Sequence, residues 1–296
     1  MMDRRHFLQL VSTLAASGPL LSCAQSQENL GQGVRTLPKE AWQEIEAGAQ
    51  GRLGVAVLDS GTGQLQGHRL DERFPMCSTF KWLAGAYVLQ RVDAGEERLD
   101  RRIRYGRDVL LPHSPITEKH VGGDGMTLAG LCEATITLSD NAAANLILQT
   151  FGGPQGLTRY VRTLGDGVTR LDRTEPELNE GTPGDPRDTT TPRAMAQLLR
   201  TVMLGDALSA RSRAQLVQWM QDCKTNGKRL GAHLPAGWKV GSKTGTGARG
   251  TTNDVGVYWP PGRAPIVVAA YLTEAAAAED ARNGAIARVA KRVTTA

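Results

Sequence analysis

The chain has 296 residues, 40% hydrophobic, 22% charged and 5% aromatic, with a formal net charge of +5. That length suits one large domain or a compact two-lobed body, and the composition is globular, without repeats or low-complexity tracts. Basic residues alternate with acidic ones and aromatics are few, so the clustered basic stripe of a nucleic-acid binder is missing and no such partner is expected.

Residues 1–23 read as an export signal. Arg4-Arg5-His6-Phe7-Leu8 puts paired arginines ahead of an apolar run that ends at Leu21, too short and too early for a membrane span. The double arginine is similar to a twin-arginine signal, whose cargo crosses the membrane already folded; an ordinary secretory leader is the alternative. Leu20-Leu21-Ser22-Cys23 matches a lipobox with Cys23 as the lipid-bearing first residue, while Ser22-Cys23-Ala24 fits a small-residue cleavage site. A periplasmic product, anchored to the membrane through Cys23 or soluble, is expected, and both forms stay open. Residues 24–40 follow as a polar tether, and residues 41–296 as a single domain of two lobes.

With Cys23 lipidated or removed, Cys77, Cys132 and Cys223 remain, an odd number that cannot all pair internally. They are expected to be free, buried thiols that pack as small hydrophobes.

Leu53 to Leu58 predicts a strand, turned by Asp59-Ser60-Gly61-Thr62-Gly63 into a hairpin partner from Gln64 to His68. A helix is predicted from Ser78 to about Val92; between Trp82 and Leu89 it is apolar on nearly all faces and should be buried. Further helices are expected at 127–137, 142–150, 156–164, 192–204 and 209–222. The Pro-, Gly- and Asp-rich stretch from Arg170 to Thr191 reads as a long irregular loop, which inside a domain is more often functional than idle. Strands resume at 238–243, 252–259 and 266–272, and a helix from Thr273 to Val293 ends the chain. The predicted fold class is therefore α+β: an antiparallel sheet built from both chain ends with flanking helices, plus an inserted all-helical lobe.

Four short segments carry chemistry: Ser78-Thr79-Phe80-Lys81, Ser139-Asp140-Asn141, Glu175-Pro176-Glu177-Leu178-Asn179 and Lys243-Thr244-Gly245. Ser78 and Lys81, three apart, share one helix face. A serine hydroxyl needs a nearby base, and Lys81, entering an apolar helix, would be desolvated toward a neutral amine able to accept a proton. At the first turn, the Ser78 N–H sits where the helix dipole favours developing negative charge. Spacing makes Ser78, not the adjacent Cys77, the nucleophile. Asp140 suits a helix cap. A lysine and a hydroxyl on an edge strand, Lys243 and Thr244, can grip a carboxylate, and Gly245 is expected to let a substrate approach closely. Glu175, with Asn179 four residues on, suits a base that delivers water; the Glu175-Pro176 bond is expected to be cis. The five histidines lack metal-ligand spacing, so no metal and no cofactor are expected.

In this order and spacing the segments resemble class A serine β-lactamases; the first, second and fourth mark the wider superfamily that includes the penicillin-binding proteins. The resemblance runs from about residue 40 onward and takes in Ser114-Pro115-Ile116-Thr117-Glu118-Lys119-His120 as well. It implies an active site in the cleft between lobes, where Ser78 attacks the β-lactam carbonyl to form an acyl-enzyme. The N–H groups of Ser78 and Thr246 would form the oxyanion hole, where one donor is worth about 10²–10³ in rate. Ser139 would relay a proton to the leaving nitrogen, and Asn141 would hold the acylamide side chain. Lys243, Thr244, Gly245 and Thr246 would surround the substrate carboxylate, assisted by Arg229, for which a plain surface arginine is the alternative. Glu175 and Asn179 would hold the hydrolytic water; Lys81 and Glu175 both stay open as the acylation base. Asn145 would tie the long loop down, and Arg173 with Asp188 would close its neck. His113 stands at the rim where many relatives carry Tyr or Trp. Gly247 stands where some carbapenem-hydrolysing relatives have a cysteine bridged to the residue matching Cys77, a bridge this chain cannot make.

The implied activity is hydrolysis of penicillins and cephalosporins by a monomer, with small-molecule β-lactams as its partners. A D-alanyl-D-alanine peptidase or transpeptidase, or a penicillin-sensing lipoprotein that stays acylated, would share Ser78, Lys81, Ser139 and Lys243. Neither needs Glu175 with Asn179, which favours the hydrolase.

Overall fold

The computed structural model describes residues 33–296; the leader, Cys23 and the start of the tether lie outside the described residues. A five-stranded antiparallel sheet is formed by β1 (Arg52–Asp59), β2 (Leu65–His68), β3 (Lys239–Thr246), β4 (Thr252–Trp259) and β5 (Ile266–Thr273), in the order β2-β1-β5-β4-β3. The chain ends thus build one sheet, with β3 at its edge.

β5 is buried along its whole length because both sheet faces are covered. Its alternate residues serve two cores: Ile266, Val268, Ala270 and Leu272 on one face, Val267, Ala269 and Tyr271 on the other. The first face packs on α1 (Lys39–Ala49) and α8 (Glu279–Thr294) through Trp42, Ile45, Ile286 and Val289. The second meets the helices between the strands: α2 (Lys81–Asp93), α3 (Leu128–Thr137), α4 (Asn141–Gln149), α5 (Gly153–Thr163), α6 (Pro192–Leu199) and α7 (Ala210–Gln221). α2 is the axis of this group, and its all-round apolar stretch is buried from Lys81 through Ala86. Among the described residues no helix is long and apolar enough to cross a membrane.

Several boundaries differ from the sequence expectation. Cys77–Phe80 is a 3₁₀ turn, and the α-helix starts only at Lys81. The third strand runs three residues past Lys243, because pairing with β4 continues to Thr246 opposite Thr252. Helix α1 begins at Lys39, within the expected tether. The stretch after α6 continues as a π-helical turn, Arg200–Leu204. Helix α8 starts six residues later than expected. In its place Ala275 and Ala276 make tertiary backbone bonds, donating to Arg249 O at 3.2 Å and Gln50 O at 3.0 Å, and these override the helix propensity of the alanine run. Two short ladders, Phe74–Pro75 with Thr189–Thr190 and Arg102–Ile103 with Met126–Thr127, are too brief to leave a periodic signal.

Candidate active site

The turn bearing Ser78 is clamped on several sides. Met76 N donates to Asp188 O at 2.9 Å, Asn253 Nδ2 donates to Pro75 O at 2.9 Å and to Met76 O at 3.2 Å, and Thr79 Oγ1 donates to Met76 O at 2.8 Å. Cys77 is held at φ 46°, a left-handed conformation costly for a side chain and concentrated at functional sites. Its thiol is fully buried, and burial pushes its pKa up, away from a reactive thiolate.

Ser78 Oγ donates to Glu175 Oε1 at 3.2 Å, and Lys81 Nζ stands 3.0 Å from the same oxygen, with both the lysine and the glutamate side chain fully shielded from solvent. Lys81 also donates to Ser139 O at 2.8 Å, Ser139 Oγ at 3.3 Å and Asn141 Oδ1 at 2.6 Å. Burial pulls its pKa down, while the Glu175 charge works in the opposite direction. Ser139 Oγ lies between two lysines, because Lys243 Nζ donates to it at 3.0 Å and to Thr244 O at 2.8 Å. Lys243 is fully buried as well, and burial, reinforced by the Lys81 charge, lowers its pKa to about 7.

Ser139 takes φ 62°, and Asp140 fixes the segment as the cap of α4. Its carboxylate accepts from Ala143 N at 2.9 Å, Ile116 N at 3.0 Å and Thr117 N at 2.9 Å. Asn141 Nδ2 donates to Pro112 O at 2.8 Å, and a ring nitrogen of the exposed His113 is 2.9 Å from Leu138 O.

The long loop carries Glu175 on a braced backbone. Asn145 bonds both backbone polar atoms of Glu175: its Nδ2 donates to Glu175 O at 2.9 Å and its Oδ1 accepts from Glu175 N at 3.0 Å. Asn179 Nδ2 donates to Glu175 Oε2 at 2.5 Å, and the Glu175-Pro176 peptide is cis, as expected. At the neck Arg173 Nε meets Asp188 Oδ2 at 2.6 Å.

Arg229 is a buried residue, which rules out the surface alternative. Its guanidinium donates to Gly245 O and Asn253 O at 2.8 Å, to Thr246 Oγ1 at 2.7 Å and to Asn283 Oδ1 at 2.8 Å. Gly245 has a packing reason the sequence did not show: a Cβ there would lie 2.8 Å from Met76 O and 3.3 Å from Cys77 Cβ. Its missing side chain thus seats β3 against the nucleophile turn, while Gly245 also lines the cleft. A Cβ on Gly247 would lie 2.6 Å from Cys77 Sγ, and the three described cysteines are free.

These groups line a cleft of about 300 Å³ bounded by Ser78, His113, Ser139, Asn141, Asn179, Thr225, Arg229 and Thr244–Thr246. Hollows of about 320 Å³ beside Arg52 and about 700 Å³ beside Arg200 are as large or larger, but in neither does a lining hydroxyl hydrogen-bond a lining lysine or carboxylate, as Ser78 does Glu175. Asn145 braces the loop from α4, and Arg173 with Asp188 braces it from within, at its neck. Sequence reasoning missed Asn253, which clamps the nucleophile turn, and Thr225, whose Oγ1 lies 2.5 Å from Thr244 Oγ1. A polar residue in a strand or turn shows no pattern that marks its role.

The arrangement is a buried Ser-Lys-Glu cluster open to a cleft walled by an edge strand that carries Lys243, with Arg229 bonded to that strand from a neighbouring turn. Residues 37–296 match the model of the β-lactamase enzyme family. β-Lactamase AER-1 of Aeromonas hydrophila is 46% identical over 250 residues, spanning 84% of this chain and 82% of that protein. Among solved structures, the ancestral class A β-lactamase GNCA is 64% identical with a TM-score of 0.85, covering 86% of this chain and 98% of its own. The class A β-lactamase of the last common ancestor of Gram-negative bacteria, GNCA4, is 63% identical at the same TM-score, covering 86% and 97%. The chain belongs to the β-lactamase enzyme family, in class A.

Proposed function

We propose that the protein hydrolyses the β-lactam amide of penicillins and cephalosporins through an acyl-enzyme on Ser78, and so confers resistance to them. The observation that carries this reading is the meeting of Ser78 Oγ, Lys81 Nζ and Glu175 Oε1 in one buried cluster, with the second Glu175 oxygen held by Asn179. Ser78 gives its proton to Glu175, the acceptor it already faces, as it attacks the carbonyl. Lys81 keeps the carboxylate oriented. Ser139 passes its hydroxyl proton to the departing nitrogen and is reprotonated by Lys81 Nζ at 3.3 Å. Lys81 in turn takes the proton that Glu175 received from Ser78, so Glu175 is a carboxylate again before water attacks. Lys243, Thr244, Thr246 and Arg229 hold the substrate carboxylate, Asn141 holds the acylamide, and the N–H groups of Ser78 and Thr246 receive the oxyanion. Glu175 then serves as general base for water that cleaves the ester, with Asn179 positioning it. A penicillin-binding protein needs no such step.

The proposal includes export to the periplasm by the Arg4-Arg5 leader, with Cys23 either lipidated or removed, ahead of one two-lobed catalytic domain. One chain supplies every residue of the site, which supports a monomer. Steady-state assays with benzylpenicillin and a chromogenic cephalosporin test the function: many turnovers per enzyme are expected. A burst of one product per enzyme, followed by silence, would assign the chain to the penicillin-binding alternatives.

Lys243 gives this activity a pH signature. With a pKa near 7, the free enzyme loses this cation as pH rises through neutrality, so the KM for benzylpenicillin is expected to climb above about pH 7. Lys243→Arg, charged throughout the range, is expected to flatten that climb. A wild-type KM constant from about pH 6 to 9 would remove Lys243 from carboxylate binding.

A further inference from the structure

Beneath the cationic edge of the sheet lies an acid that none of these steps uses. Asp254 stands on β4 directly opposite Thr244 on β3, and strand alternation puts Asp254, Thr244 and Ser242 on one face. Over that face folds the turn that carries Arg229, closed by bonds from Arg229 N and Gly231 N to Asn226 O at 2.8 and 3.1 Å. The Asp254 carboxylate is fully buried. Its Oδ2 accepts from Leu230 N at 3.0 Å, the peptide next to Arg229, while its buried Oδ1 has no hydrogen-bond partner. Ser242, whose Oγ accepts from Asn226 Nδ2 at 2.9 Å, lies beside the carboxylate.

The two cations of the clamp need a counter-charge. Every hydrogen bond of Arg229 and Lys243 goes to a neutral oxygen, and among the described residues neither forms an ion pair with a carboxylate. Buried charges without compensation are costly. Of the surrounding charges that favour the Arg229 cation, that of Asp254 is the largest, and it supports Lys243 too.

We infer that Asp254 is a positioning residue of the substrate-carboxylate clamp: it pins the Arg229 turn through Leu230 N–H and supplies negative charge from behind the clamp, leaving the cleft side free for the substrate. The inference rests on the hydrolase reading above.

The test compares Asp254→Asn with the wild type on one cephalosporin scaffold, as the free C4 carboxylic acid and as its methyl ester. KM for the acid is expected to rise roughly tenfold, about 1.4 kcal/mol, with kcat nearly unchanged and the ester unaffected. Arg229→Gln should raise the acid's KM likewise, and adding Asp254→Asn to it should change little further. Equal losses on acid and ester, or additive effects of the two changes, would overturn the inference. Should Asp254→Asn not fold, the wild type itself decides. Burial raises the Asp254 pKa to about 6. The groups around it are Arg229 on the turn, Lys243 on β3 and Tyr258 on its own strand, with Glu279, Cys223 and Lys81 beyond. Protonation below pH 6 should therefore raise the acid-to-ester KM ratio, and a flat ratio would count against the role. No wild-type turnover of either compound would instead sink the hydrolase reading itself.

Discussion

Glu175→Gln is expected to turn the enzyme into a trap that acylates and stops. The amide keeps the shape and the Asn179 contact but cannot accept a proton from water, so deacylation should slow by roughly 10²–10⁴. Acylation should survive because of Lys81. Burial pulls its pKa down and the Glu175 charge holds it up, so removing that charge leaves a more nearly neutral amine beside Ser78, able to act as base. Intact-mass spectra after excess penicillin should show one persistent adduct on Glu175→Gln and none on Ser78→Ala. Free protein in the Glu175 variant, with turnover intact, would remove Glu175 from the mechanism.

The second large effect concerns the neck of the loop. Asp188 is 1% exposed, and its Oδ1 accepts from Asp172 N at 2.7 Å and Arg173 N at 2.9 Å while its Oδ2 pairs with Arg173. Its own carbonyl receives Met76 N beside the nucleophile turn. Asp188→Ala strips two backbone donors and a guanidinium of their acceptor, leaving Arg173 only Glu180 at 2.5 Å. Breaking such a pair costs about 3–5 kcal/mol, a fall in melting temperature of roughly 10 °C. Because Glu175 rides on this loop, deacylation should fall more than acylation. Thermal denaturation with parallel mass spectra checks both; a melting point within a degree of wild type would show that the neck is held by other contacts.

Much of this site could be read in the sequence because its spacings are enforced by local geometry. Ser78 and Lys81 are one turn apart, Glu175 and Asn179 share one short loop segment, and Lys243–Thr246 occupy one edge strand. What stayed hidden depends on tertiary burial. Arg229 is indistinguishable from a surface arginine until Gly245 O, Asn253 O and Asn283 close around it. Asp254 and Asn253 interrupt a β-rich run with polar atoms whose partners lie far along the chain, at Leu230 and Pro75. The fold shows the same division: β4 falls on the predicted span because Val255, Val257, Tyr258 and Trp259 carry the strand signal despite that interruption, whereas the alanine run before α8 is drawn into extended backbone bonds no propensity foresees.

The central claim is a transient ester on Ser78 that Glu175 removes. Rapid quenching of the wild-type enzyme with excess benzylpenicillin, followed by peptide mapping by mass, observes that ester directly. The acyl group should appear on the peptide containing Ser78 while substrate remains and vanish once it is consumed. An adduct that persists after the penicillin is gone, one mapped to another residue such as Cys77, or hydrolysis with no adduct at any time would contradict the account.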